Sequence, residues 1–84
     1  MNEDSVLDIM EAKYIVNYLI QLAFSDGLNR VIDFGPFLRN SAHPDIRKYL
    51  ELQKFEGFTI DSGDLVWNDY ELCFPLGDLY EGII

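Results

Sequence analysis

The sequence predicts an α+β domain, in which a small antiparallel sheet of five to six strands in hairpins packs against one main helix at about 44–52. Short helical turns are expected near 35–39 and 76–81. Three observations support this fold class: apolar residues alternate over 18–25, an Asp-Gly pair follows, and apolar residues in the main helix recur at i, i+3 and i+4. The 84 residues, 49% of them hydrophobic, suit a single domain over 1–84 whose residues 1–4 are expected to fray.

The first three strands are predicted from alternation and from one turn signal. Residues 6–11 mix apolar and acidic side chains, which indicates a short strand at or near a sheet edge. The next strand places four side chains on one apolar face: Tyr18, Ile20, Leu22 and Phe24. Asp26 and Gly27 then predict a tight hairpin turn, because Gly accepts the positive φ that such turns need. Residues 28–33 are therefore expected to pair antiparallel with the second strand.

The helical segments are predicted from capping residues and from apolar spacing. The carboxylate of Asp33 is placed to cap the turn at 35–39, and Pro44 is favourable as the first residue of the main helix. The main helix carries one apolar stripe: Ile46, Tyr49 and Leu50. These residues are expected to share a core with the second strand. The closing turn shows the same spacing: Leu76, Leu79 and Tyr80.

The later strands are predicted from short apolar runs between turn residues. They are expected at residues 57–60, 65–67 and 70–74. The turn at 61–64 would close a second hairpin, Asn68 and Asp69 mark another turn, and Pro75 ends the last strand. Most of the eleven Phe and Tyr residues and Trp67 are expected to form the core, because a small domain needs large side chains to bury enough area.

Four short motifs follow one another along the chain: Phe24-Ser25-Asp26-Gly27, Asp33, Val66-Trp67 and Leu79-Tyr80. In this order and spacing they resemble a bacterial family described as domain of unknown function 2442, over residues 18–81. Asn68 follows Trp67 where many members of that family have Pro. The resemblance implies a small bacterial α+β domain and a link to toxin–antitoxin or regulatory gene pairs, and it implies no catalytic residue.

The charge and the cysteine usage restrict the partners and the compartment. A formal charge of −9, from 15 acidic and 6 basic residues, repels nucleic-acid phosphates and anionic lipids, so neither direct nucleic-acid binding nor membrane binding is expected. Cys73 is the only cysteine, which excludes an intrachain disulfide. The acidic start differs from a signal peptide, and the run at 14–24 is shorter than a membrane span. We expect a soluble, cytoplasmic protein.

The candidate chemical residues are few. His43 could act as a base or a metal ligand, but its place before Pro44 favours a solvated or capping role. Cys73 alternates with apolar neighbours and has no obvious base, so we expect it to be inert. Four acids could pair for acid–base or metal chemistry, although most stand at turn positions: Asp61, Asp64, Asp69 and Glu71. The sequence therefore predicts no catalytic, cofactor-binding or metal-binding residue.

Two main functional hypotheses follow from the sequence, and a third is a regulator that contacts DNA only through a basic partner protein. The first is a non-catalytic protein-interaction module that uses an exposed strand edge, with a second copy of itself or a basic protein as the partner. The alternative is a small enzyme or metal-binding protein that uses the four turn acids or His43.

Overall fold

The computed structural model describes residues 7–84 and confirms the α+β fold class. Within them, six strands form two antiparallel three-stranded sheets, joined by short helices. The expected number of strands is confirmed, but the strands divide between two sheets rather than forming one. The fraying expected for residues 1–4 lies outside the described residues.

The first sheet contains β1 (Ile9–Tyr14), β2 (Leu19–Phe24) and β3 (Asn29–Asp33), in that order. The predicted alternation of β2 is confirmed, because its inward side chains are buried. β1 does lie at a sheet edge, but it runs further toward the C-terminus than the predicted 6–11. The charged side chains of Glu11 and Lys13 are exposed, and an antiparallel sheet with one solvated face accepts them within a strand.

The turn between β2 and β3 confirms the Asp-Gly prediction. Gly27 has a φ of +96° and its N–H donates to the carbonyl of Phe24 at 2.9 Å. The Asp26 carboxylate accepts the N–H of Leu28 at 3.0 Å, so its side chain closes the loop that the glycine bends.

The second sheet contains β4 (Thr59–Asp61), β5 (Asp64–Trp67) and β6 (Leu72–Cys73). Ser62 and Gly63 form the two-residue turn between β4 and β5, with φ angles of +53° and +86°. The carbonyl of Gly63 accepts the N–H of Ile9 at 2.9 Å, which ties the start of β1 to the second sheet. No other backbone hydrogen bond within residues 7–84 joins the two sheets.

The predicted main helix is divided into short pieces. α2 (Pro44–Arg47) continues into a 3₁₀ turn (Lys48–Leu50), Glu51 is extended with a ψ of 116°, and α3 (Leu52–Phe55) follows. In one continuous helix, at about 100° per residue, Phe55 would point about 180° away from Ile46. The break at Glu51 lets Phe55, which is fully buried, face the same core as the predicted stripe.

Two other helices agree with their predictions. α1 (Gly35–Asn40) begins where Asp33 accepts the N–H of Gly35 at 2.9 Å. α4 (Leu76–Glu81) spans the predicted 76–81 and buries Leu79. In the part of the chain that the structure describes, no helix is long and apolar enough to span a membrane.

Aromatic side chains form the centre of the core. Trp67 is fully buried, stacks on Phe55 at 5.6 Å between ring centroids, and meets Phe34 at 5.7 Å and Phe74 at 6.0 Å. Its indole N–H donates to the carbonyl of Phe55 at 2.7 Å. The predicted packing partners are present: Tyr49 belongs to the core cluster with β2, and Ile46 and Leu50 pack against it.

Candidate functional site

His43 has a capping role in the structure. Its backbone is extended before α2, and its Nδ1 accepts the N–H of Asp45 at 3.2 Å, which satisfies one of the free donors at the start of that helix. Its own N–H donates to the Oγ of Ser41 at 3.1 Å. The Nδ1 atom of His43 is therefore occupied by a local hydrogen bond.

The four predicted acids do not form one cluster, and the hydrogen bonds of Asp61 and Glu71 go to different groups. Asp61 and Asp64 flank the turn between β4 and β5, and the Asp61 carboxylate accepts the hydroxyl of Tyr70 at 3.0 Å. This hydrogen bond raises the pKa of Tyr70. Asp69 occupies a turn with a φ of +56°, and Glu71 bonds to other side chains. Within residues 7–84, no three His, Cys, Asp or Glu side chains are placed to hold a metal ion.

Glu71 is the centre of a polar network. Its Oε2 accepts the ammonium of Lys48 at 2.7 Å, and its Oε1 accepts the hydroxyl of Tyr49 at 2.6 Å and the amide of Asn68 at 3.0 Å. The Lys48 hydrogen bond, followed by those of Tyr49 and Asn68, lowers the pKa of Glu71 to about 2. The ammonium of Lys48 also lies 5.5 Å from the centroid of the Tyr49 ring.

Tyr49 is the buried member of this network. Burial, and then the hydrogen bond to Glu71, raise the pKa of Tyr49 to about 12. Efficient general acids and bases have pKa values near the working pH. Near neutral pH, the Glu71 carboxylate stays ionised and the Tyr49 hydroxyl stays protonated, so this pair is suited to holding structure rather than to transferring protons.

An unusual backbone turn positions the network. Asn68, Asp69 and Tyr70 all have positive φ angles, of 48°, 56° and 69°. Asn and Asp tolerate this region better than other non-glycine residues, whereas Tyr does not. The turn interrupts the predicted strand 70–74, so β6 contains only Leu72 and Cys73. The turn places the Glu71 carboxylate within hydrogen-bond distance of Lys48 and Tyr49 in the 3₁₀ turn, and the Asn68 amide beside that carboxylate.

A cleft of about 340 Å³ lies beside the network. Its lining comes from the helical segment and from the end of β5: Lys48, Tyr49, Gln53, Lys54, Gly57, Trp67 and Asn68. No local sequence pattern predicts this cleft. Lys48 and Glu71 are 23 residues apart, and only the path of the folded chain brings them together.

Cys73 lies on β6 and is exposed, between the buried Leu72 and Phe74. The predicted alternation is confirmed for these three residues. Tyr70, the first residue of the strand predicted at 70–74, lies outside β6, and its side chain is 48% exposed on the left-handed turn.

The free edge of β3 is the more regular of the two edges of the first sheet. Phe24 N–H donates to Leu28 O at 2.8 Å, and Phe34 N–H donates to Tyr18 O at 2.9 Å, so Leu28 and Phe34 face β2. Backbone groups alternate in direction along a strand. The outward groups are therefore those of three residues, Asn29, Val31 and Asp33. No backbone hydrogen bond to these groups is present within residues 7–84.

The edge of β1 is less open. Its register shifts between Ile9 and Glu11, the N–H of Ile9 donates to Gly63, and β4 and β5 both lie against the strand. A bulge, a nearby Lys side chain and a covering segment are devices that protect sheet edges from pairing. Lys13 supplies the charge. β4 has three residues and β6 has two, so each has fewer backbone groups along its edge than the five-residue β3.

Comparison with known proteins adds no relative: no family model, curated protein or solved structure matches this chain.

Proposed function

We propose that this domain is a non-catalytic protein-interaction module, which receives an extended strand from another protein chain along the free edge of β3. The observation that carries the proposal is the outward N–H and C=O groups of Asn29, Val31 and Asp33, for which residues 7–84 supply no backbone partner. Such an edge offers regularly spaced hydrogen bonds to an added strand.

The side chains on the outer face of β3 are compatible with this role. Val31 is 52% exposed at the middle of the strand, and an added strand would cover part of it. β2 is the only element within residues 7–84 whose backbone runs close along β3, and α4 contacts β3 through Arg30, whose Nε donates to the carbonyl of Tyr80 at 2.6 Å. Unlike β1, β3 pairs with β2 without a shift of register.

The candidate chemical groups support a binding function rather than an enzyme. The Nδ1 of His43 caps a helix, Asp61 bonds to Tyr70, and Glu71 is saturated by three donors. Each of these side chains therefore has a structural use. The same proposal includes a cytoplasmic location, which the sequence predicts, and a link to a toxin–antitoxin or regulatory gene pair, which only the family resemblance implies.

The experiment blocks each sheet edge separately. Val31→Pro removes an outward N–H of β3 without removing a hydrogen bond to β2, and edge strands accept Pro at such positions. Ala12→Pro is the matched control on β1. Ile15 N–H donates to Leu19 O at 2.8 Å, so alternation directs the N–H of Ala12 away from β2.

The tagged protein is used to capture partners from a lysate of the native host, and captured chains are identified by mass spectrometry. We expect Ala12→Pro to retain the captured protein and Val31→Pro to lose it. Circular dichroism confirms that both variants fold. Equal capture by both folded variants would contradict the assignment to β3.

A further inference from the structure

We propose that the strand received by β3 is the β3 of a second copy of this chain, in an antiparallel pair related by a two-fold axis at Val31. This inference rests on the proposed strand-pairing function and names its partner. In a two-fold interface the same surface of both copies must complement itself. The outward residues of β3 meet that requirement.

The spacing of the outward backbone groups is symmetric about Val31. When Val31 faces Val31 of the partner subunit, Asn29 faces Asp33 of the partner subunit, and the reverse pair forms on the other side. Each facing pair then exchanges both of its backbone hydrogen bonds, as in a regular antiparallel ladder. Every outward group of β3 obtains a partner in this register, and the two first sheets become one continuous sheet.

The side chains favour the same register. The two Val31 side chains, each 52% exposed in the single chain, cover one another at the centre. The Asn29 amide can donate to the carboxylate of Asp33 of the partner subunit. That carboxylate already accepts Gly35 N–H with its Oδ1 at 2.9 Å, and Oδ2 remains for the added donor.

The net charge makes the association weak and dependent on salt. Each chain carries −9, so two copies repel one another, and added salt screens that repulsion. A basic partner strand would be attracted by the same charge, and salt would weaken its binding. The sign of the salt dependence therefore separates a second copy from a basic protein.

The main test is sedimentation equilibrium of the full chain from about 10 µM to about 1 mM, at about 0.05 M and 0.5 M NaCl, since small interfaces give weak complexes. We expect the average mass to rise toward that of a dimer with protein concentration, and to rise further in the higher salt. Val31→Pro should abolish the rise and Ala12→Pro should keep it.

A second pair of variants tests the register without a Pro. Asn29→Asp places two carboxylates face to face in each half of the dimer, and we expect it to weaken association about tenfold. Adding Asp33→Asn restores one amide and one carboxylate in each facing pair, at the original net charge, and should recover most of the affinity. These substitutions are isosteric and stay on the exposed face of β3.

Hydrogen exchange supplies a direct measurement of the pairing. At high concentration the amides of Asn29, Val31 and Asp33 should become protected, while that of Ala12 on β1 should not change. A monomer at every concentration and salt would overturn self-pairing, as would a dimer that survives Val31→Pro. If the monomer still captures a host protein in a Val31-dependent manner, the proposed function stands and only the identity of the partner is wrong.

Discussion

The first sheet is a long hydrogen-bonded ladder with one register shift in β1, whereas the second sheet is short and depends on the side chains around it. β2 pairs with β1 and β3 along its whole length, but β5 pairs with β6 only at Val66 and Trp67. Trp67 compensates for this short pairing, because its ring contacts aromatic residues from several segments of the chain. Backbone pairing therefore organises the first sheet, and aromatic packing organises the second.

The largest expected effect comes from removing the Trp67 ring. Large aromatic to Ala changes in a core cost about 3–5 kcal/mol, which is a large part of the roughly 5–15 kcal/mol that stabilises a small domain. We expect Trp67→Ala to lose that amount in urea unfolding and to disorder the second sheet before the first. A loss below about 1 kcal/mol would contradict the role assigned to the ring.

Trp67→Phe is the matched variant for this comparison. It keeps an aromatic ring but removes the donor to the carbonyl of Phe55, which lies 2.7 Å from the indole nitrogen. A buried acceptor left without its donor costs about 1–3 kcal/mol. Trp67→Phe should therefore lie between the wild type and Trp67→Ala in the free energy of unfolding.

The next effect concerns the junction between the sheets. Gly63 has a φ of +86°, and a Cβ there would lie 2.2 Å from the Oδ1 of Asp8. Gly63→Ala must shift Asp8 and disturb the Ile9 hydrogen bond, so we expect a loss of about 2–4 kcal/mol. Gly27→Ala is the control, because its φ of +96° is similar and no atom lies within 4 Å of the added Cβ.

Gly27→Ala should lose about 1–2 kcal/mol of unfolding free energy, because the only penalty there is a side chain at a positive φ. Urea unfolding of both variants measures the difference. Adding Asp8→Ala to Gly63→Ala should recover part of the loss, because it removes the two closest atoms. Equal losses for the two glycine variants would show that the contact between the sheets contributes nothing.

The third effect is the pH dependence of the Glu71 network. The folded state lowers the pKa of Glu71 from its usual 4.5 to about 2. A lowered pKa means that the unfolded chain binds the proton first, so the stabilisation is complete above about pH 5 and is lost as the pH falls toward 2. We expect Glu71→Gln to be less stable than the wild type at pH 7 and equal to it near pH 2.

Urea unfolding from pH 2 to 7 measures this difference. Comparing the two proteins at each pH cancels the other carboxylates, including Asp26, whose pKa is lowered mainly by the Tyr80 hydroxyl. A difference between the wild type and Glu71→Gln that does not change with pH would contradict the network.

The smallest effect tests the cap at His43. His43→Ala removes the acceptor for the Asp45 N–H and should cost about 0.5–1 kcal/mol, whereas His43→Asn should restore it, since Asn is among the best N-cap residues. Thermal unfolding of both variants measures the effect. If both variants fold but both lose a cellular activity, that loss would instead indicate a chemical role for the imidazole.

Local sequence determined much of the first sheet and the ends of several segments. The alternation of β2, the turn at Asp26 and Gly27, the Asp33 cap and the span of α4 all follow from interactions between residues close in the chain. Such interactions depend on side-chain spacing and on backbone preference alone. For this reason the fold class and the number of strands could be predicted.

Tertiary structure decided the remainder. The sequence predicted one helix over 44–52, but burying Phe55 beside Trp67 required a break at Glu51. No sequence pattern predicted the Glu71 network, because Lys48 and Tyr49 are more than twenty residues away from Glu71 in the chain. Packing between distant segments overrides local helix preference.

The choice between the two edges of the first sheet was also made by the fold. The sequence predicted a first strand at or near a sheet edge, because residues 6–11 are short and mix apolar with acidic side chains. The β4–β5 turn meets β1 at Ile9, while nothing in residues 7–84 bonds to the outward backbone of β3. Alternation along one strand determines which residues face outward, but only the position of the second sheet determines which edge remains open.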